Sequence, residues 1–284
     1  MKISKESALT LVVFLSFVTL FYFVGFWLIF RMAQATPLML SVGFATIATC
    51  LVRGKKLSSL GWGWGPSKYQ WMSYLLPFLI VFVSYSLIWA FGFGDFYNAD
   101  FLEEKRVSYN LSGWNDLSIF LFHFTLTALV GFVISLPTIL GEEIGWRGLL
   151  VPELSKSMSF TGVILVSGVI WSMFHWPLIF YGMYGNQTTS IYYQLSCFTV
   201  FIIATGTIMA YIRLKTNSVW TAVMYHASSN IFIQKVFNPM TIEKETSLFF
   251  VDEFGIVLAI VASIVAFFFW LKGKKEFPQS RLTA

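Results

Sequence analysis

The sequence predicts an all-α, polytopic membrane helix bundle of about eight spanning helices, on three observations. Of its 284 residues 57% are hydrophobic and only 12% are charged, and the mean hydropathy is +0.71. So few charges cannot cover the surface of a soluble domain of this length. Charge-free runs of about twenty residues, the length that crosses a bilayer, recur along the whole chain. Aromatic residues make up 19% of it, as expected where rings face acyl chains and headgroups.

The runs come in order. Ser7 to Phe30 is longer than a signal-peptide core and no small-residue cleavage site follows it, so it reads as a retained span. Met32 to Val52, Tyr69 to Gly94 and Leu117 to Gly141 follow. The charge-free stretch between Ser157 and Arg213 is too long for one helix, and GMYGNQTTS, Gly182 to Ser190, divides it in two. Thr216 to Gln234 and Phe254 to Leu271 complete the set. The segment GWGWGPSKYQW ahead of the third span reads either as an interfacial aromatic anchor or as a Gly-rich turn. No repeat is visible, so residues 1–284 are taken as a single membrane domain. Cys50 and Cys197 lie in apolar runs without zinc-type spacing and read as reduced packing residues.

Basic residues then set direction. With the N-terminus in the cytosol, cytosolic segments hold 14 of the 19 Lys and Arg, so both termini are expected there. The net charge of +5 comes from these loops, which makes the bilayer the partner and excludes nucleic acid. The compact size points to a bacterial inner, or cell, membrane. No residue pattern speaks to an oligomeric state.

Ionisable groups inside spans are the chemical signal, because each costs roughly 2.5–3.5 kcal/mol at a bilayer centre. The fourth span ends in PTILGEEIGWRGLLVPEL. On a helix Glu143 and Arg147 are four apart and form an ion pair, while Glu142 points about 100° away. The fifth span holds WSMFHWP, with Trp171 and His175 on one face. The seventh holds HASSN, with His226 and Asn230 four apart. Taken singly, each has a bland reading: loop charges, a packing histidine, an interhelical hydrogen bond. Depth joins them. Counted from a turn near Ser157, Glu142 and His175 both lie roughly 22–27 Å along an antiparallel hairpin. His226 and Asn230 lie roughly 16–22 Å in from Lys215. All six polar residues thus converge on one cavity, expected to open to the cytosol. His123, roughly 28 Å before Glu142, belongs near the outer face as a structural residue.

These residues resemble the CPBP intramembrane protease family, also called Abi proteins or type II CAAX prenyl endopeptidases. The family pattern is Glu-Glu-x-x-x-Arg, Phe-x-x-x-His and His-x-x-x-Asn in order. Here it stands as Glu142-Glu143 to Arg147, Trp171 to His175, and His226 to Asn230, within residues 117–234. Trp171 replaces the Phe, which puts pocket shape in question more than reaction. The resemblance implies hydrolysis of a peptide bond in a membrane-associated or lipidated substrate. Glu142 and His175 would activate water, and His226 and Asn230 would stabilise the oxyanion. Glu143, Arg147 and Trp171 would support them, with Arg147 also available to a substrate carboxylate. No cofactor is implied.

Alternatives remain open at this stage. Glu142, His175 and His226 are suitable zinc ligands with water in the fourth position. A relative of bacteriocin-immunity proteins would bind a partner without turnover, and polar intramembrane residues also build transport sites. Gly92-Phe93-Gly94-Asp95 mimics an aspartyl-protease motif, but no second Asp lies in any span to share the proton.

Overall fold

The computed structural model describes residues 4–32 and 34–278, and its order of elements follows the charge pattern. Helices α1 (Lys5–Met32), α2 (Thr36–Arg53) and α3 (Ser67–Ala90) come first. An external cap of strand β1 (Asp95–Phe96) and helix α4 (Ala99–Ser108) follows. Then comes one long helical rod, made of α5 (Asp116–Leu126), a π-turn (Thr127–Gly131), α6 (Phe132–Glu143), a second π-turn (Ile144–Leu150) and α7 (Val151–Ser155). Helices α8 (Phe160–Phe180), α9 (Ile191–Thr216) and α10 (Trp220–Ile231) follow, α10 running on through a π-turn to Phe237. Strand β2 (Thr241–Ile242) pairs antiparallel with β1, and α11 (Ile256–Glu276) ends the described chain.

Among the described residues seven helices are long and apolar enough to cross a membrane. The expected seventh run, Thr216 to Gln234, is not one of these seven: it contains α10, which with its π-turn forms a shorter rod buried inside the bundle. The fourth span runs from Asp116 to Ser155, so the helix continues without a break past the end of the charge-free run at Gly141 and through the whole polar segment. Its two parts face different surroundings. Leu129, Val130, Val133 and Ile134 point outward as a lipid-type face. Residues 141–151 are all buried. The polar motif is therefore neither in lipid nor in a loop, because protein surrounds it.

Small residues let the neighbours close around it. Gly43 on α2 meets Gly141 on α6, and a Cβ on Gly43 would sit 2.8 Å from the Gly141 carbonyl oxygen. A Cβ on Gly145 would sit 2.4 Å from Val42. Backbones this close bring α2 against the first turn of the motif without any polar contact.

The two ends of the bundle are chemically distinct. At one end Lys55 pairs with Glu153 and Glu6, and Lys215 pairs with Glu276. Both described termini lie there. Expected basic residues Lys2 and Arg281 are outside the described residues. At the other end lie the α1–α2 turn, the α8–α9 turn and the β1–β2 cap, where Lys244 pairs with Asp95. The segment between Gly61 and Trp71 combines both earlier readings. Gly61 and Gly65 take positive φ, while Trp62 and Trp64 expose their rings beside Trp220.

Gly43→Ala should lower the thermal midpoint of the detergent-purified protein, because a backbone oxygen cannot step aside as a side chain can. The expected loss is about 1–3 kcal/mol, read from equilibrium unfolding.

Candidate active site

The end of α6, just ahead of the second π-turn, carries two adjacent carboxylates with different partners. A π-turn widens the helix by one residue per turn and is common where a helix presents functional groups. Glu143 is wholly buried. Its Oε1 accepts from Arg147 Nη1 at 2.9 Å and from His226 Nδ1 at 2.8 Å, and its Oε2 accepts from Arg147 Nη1 at 3.1 Å. Arg147 in turn lies 4.0 Å from the centre of the Trp171 ring. Arg213 supports the turn from behind, its Nε donating to the Arg147 carbonyl at 2.7 Å. The same guanidinium donates to Asn217 Oδ1 at 2.7 Å and to the Leu60 carbonyl at 3.3 Å. Gly61 leaves the room it needs, since a Cβ there would lie 2.6 Å from Arg213 Nη2.

Glu142 is also wholly buried but is held differently. Its Oε2 accepts from two indoles, Trp146 Nε1 at 3.3 Å and Trp171 Nε1 at 3.2 Å. Its Oε1 has no hydrogen-bond partner among the described residues. One oxygen is thus anchored and the other is left to the cavity. Trp171 therefore does more than shape the pocket, because a Phe at this position could not donate. Trp146 escaped the sequence reading, although its place four residues after Glu142 on the same helix was the available signal.

The histidines are fixed by what their Nδ1 atoms touch. Nδ1 of His175 lies 3.0 Å from the Trp171 carbonyl, which can only accept, so the proton sits on Nδ1 and Nε2 is a free acceptor. His226 Nδ1 faces the Glu143 carboxylate, so Nδ1 again carries hydrogen. When neutral, His226 presents a lone pair at Nε2; it donates from that nitrogen only as an imidazolium. Asn230, half-buried one turn on, makes no hydrogen bond within the described protein. Tyr225, adjacent to His226, is buried with its hydroxyl unpartnered.

Glu142, Trp171, His175, Tyr225, His226 and Asn230 all line one cavity of about 360 Å³. Glu143 and Arg147 do not, and lie behind its wall. Arg147 is committed to Glu143 and Trp171, so the expectation that it holds a substrate carboxylate does not fit its position. Among the described residues no group of three His, Cys, Asp or Glu side chains is placed to hold a metal. Glu142, His175 and His226 line one space without forming a ligand set. Asp95 is half-exposed in the cap, paired with Lys244 and outside the cavity. His123 bridges Tyr109 Oη at 2.7 Å and the Lys235 carbonyl at 2.8 Å, away from the site.

The mouth corrects a second expectation. Its exposed lining residues are Gln34, Ala35 and Met183, in the α1–α2 and α8–α9 turns. Those turns are at the end opposite both termini. Cytosolic termini and a cavity open to the cytosol therefore exclude each other.

Residues 118–232 match the family model described as "Type II CAAX prenyl endopeptidase Rce1-like". The curated "CAAX prenyl protease 2" of Methanococcus maripaludis is 28% identical over 130 residues. That match covers 44% of this chain and 45% of the relative, so the chain spans about half the length of the curated relative it matches.

Glu143→Gln and Arg147→Met should each destabilise the fold by about 3–5 kcal/mol, because either leaves a buried charge without its partner. His123→Ala should cost about 1 kcal/mol by leaving the Lys235 carbonyl without its side-chain partner, and should not alter substrate cleavage per folded molecule. Denaturant titration with parallel activity assays separates the two classes.

Proposed function

Because the core of this chain, residues 118–232, belongs to the type II CAAX prenyl endopeptidase-like (CPBP) family, we propose that it hydrolyses a peptide bond within the membrane. The observation that carries the reading is the pair of acceptors facing one cavity, Glu142 Oε1 and His175 Nε2. A water molecule has two hydrogens, and two acceptors take both. Its oxygen lone pairs are then turned toward an incoming carbonyl carbon. The oxygen attacks, the water proton passes to Glu142, and the carbonyl oxygen becomes an oxyanion. When the carbon–nitrogen bond breaks, Glu142 returns the proton to the leaving amine, giving a carboxyl and an amine product.

Donors for the oxyanion are Asn230 and the Tyr225 hydroxyl, which lie in the cavity without protein partners. His226, its Nδ1 held by Glu143, would join them as a donor when both ring nitrogens carry hydrogen. No cofactor enters this scheme. A zinc-dependent version would use Glu142, His175 and His226 as ligands after a rearrangement that gathers them. A non-proteolytic partner-binding role needs only the cavity and not the activated water. The substrate is a membrane-associated peptide, with or without a lipid.

Charge supports an orientation for the site. Among the described residues, the segments at the end of the bundle that carries both described termini hold 12 of the 17 basic residues, which favours the cytosolic side for that end. The mouth then opens on the opposite side of the cell membrane, reversing the expectation of a cytosolic opening.

Glu142→Gln should abolish cleavage while preserving fold and peptide binding, since it keeps shape and removes the base. Verified metal-free protein should retain its rate; an inactive apo-protein restored by one equivalent of zinc would sink the metal-free scheme. Single cysteines at Ser58 and Thr188, both exposed, test orientation in a background lacking Cys50 and Cys197. An impermeant maleimide should label Thr188→Cys and spare Ser58→Cys in intact cells. The reverse pattern would invert the chain.

A further inference from the structure

The cavity has a second carboxylate that catalysis does not use. Glu253 lies in the connection between β2 and α11 and lines the same space as Glu142. It is 5% exposed. Its Oε1 accepts from Gln234 Nε2 at 2.6 Å and from Tyr184 Oη at 3.3 Å. Those two partners come from the π-turn after α10 and from the α8–α9 turn. Tyr184 also has its ring 6.2 Å from that of His175, which links Glu253 to the reacting end of the cavity.

The charge balance around it is one-sided. Among the described lining residues the acidic side chains are Glu142 and Glu253, and no Lys or Arg lines the cavity. Two carboxylates without a cation repel a peptide that arrives with its own carboxylate. They favour one that brings a positive charge. The remainder of the wall is largely apolar and aromatic, as in Phe174, Leu178, Phe198 and Phe201. A long side chain with an apolar stem and a cationic tip matches both surfaces.

We propose that Glu253 forms a specificity subsite for a Lys or Arg side chain of the peptide substrate, on the mouth side of the scissile bond. The proposal rests on the endopeptidase reading and adds the substrate class to it. Two neutral donors satisfy one oxygen of Glu253 and leave no full countercharge. Burial accordingly holds its carboxyl above the ordinary carboxylate range. An ammonium or guanidinium group supplies the missing countercharge, and a charged partner is worth more in this dry wall than at a surface.

The test uses quenched-fluorescence peptides of apolar sequence carrying one Lys, moved residue by residue, with the purified full-length chain in lipid vesicles. At one position wild type should cleave the Lys peptide at least about tenfold faster in kcat/KM than the same peptide with acetyl-lysine, a difference of about 1.4 kcal/mol. Glu253→Gln should bring that ratio close to one. The wild-type comparison needs no variant, so misfolding of Glu253→Gln cannot hide the answer. Cleavage with no preference for Lys at any position would overturn the subsite and leave the endopeptidase reading standing. A second arm measures binding of labelled Lys and acetyl-lysine peptides to Glu142→Gln. Lys-dependent binding there, with no cleavage by wild type, would overturn the endopeptidase reading and keep the subsite. Absence of both would overturn both.

Discussion

The carboxylate of Glu143 is the constraint on which the rest of the site depends. It is buried beyond the reach of solvent, so its charge must be answered by protein, and Arg147 and His226 answer it together. Each consequence then follows from the last. Arg147, held by Glu143, lies flat against Trp171. Trp171, held by Arg147, points its indole N–H at Glu142 Oε2. Trp146 completes that anchor, leaving Oε1 as the free atom. His226, tied by its other nitrogen, has its ring fixed as well. A structural ion pair thus orients the three groups in contact with the cavity without entering it.

The same logic explains the π-turn and its support. A regular helix through residues 144–150 satisfies its own carbonyls and has no need of an outside donor. Here the Arg147 carbonyl takes a hydrogen bond from Arg213, a residue of another helix. Arg213 also reaches Asn217 and Leu60, so the turn is fastened to the end of α9 and to the loop before α3. Burying one arginine here is tolerable because each of its three guanidinium nitrogens donates to an oxygen held by the protein. On the opposite side α2 seals the turn by close backbone contact through Gly43 and Gly141.

How much of this the sequence disclosed depends on whether the relation was local. Charge-free runs disclosed the helices, and the four-residue spacings disclosed the Glu143–Arg147 and His226–Asn230 faces, because both are fixed by one helix. Relations between helices were less accessible. Trp171 as a donor to Glu142 and Tyr184 as a donor to Glu253 depend on packing across 29 and 69 residues of chain. Glu253 itself sits in a segment that reads as an ordinary acidic loop. The charge-free run stops at Gly141, but the helix continues through the charges to Ser155 because neighbouring protein provides their countercharges.

The end of the bundle at which the cavity opens, opposite the described termini, is within reach of the sequence. Glu142 and His175 were placed roughly 22–27 Å from the turn near Ser157, in a hydrocarbon core about 30 Å thick. A group that far from one face is close to the other. Distance from the turn near Ser157 is not a path for access, because residues 141–151 are buried and close that route. Access belongs to the end where Gln34, Ala35 and Met183 are exposed. At the terminal end the Lys55–Glu153 pair and the Arg213 contacts hold the bundle shut. The cavity that Glu142 lines is therefore open on the mouth side, where Glu253 and Tyr184 also line it. In the proposed reaction, the carboxylate that would select the substrate would also stand on the route by which a hydrolytic water arrives.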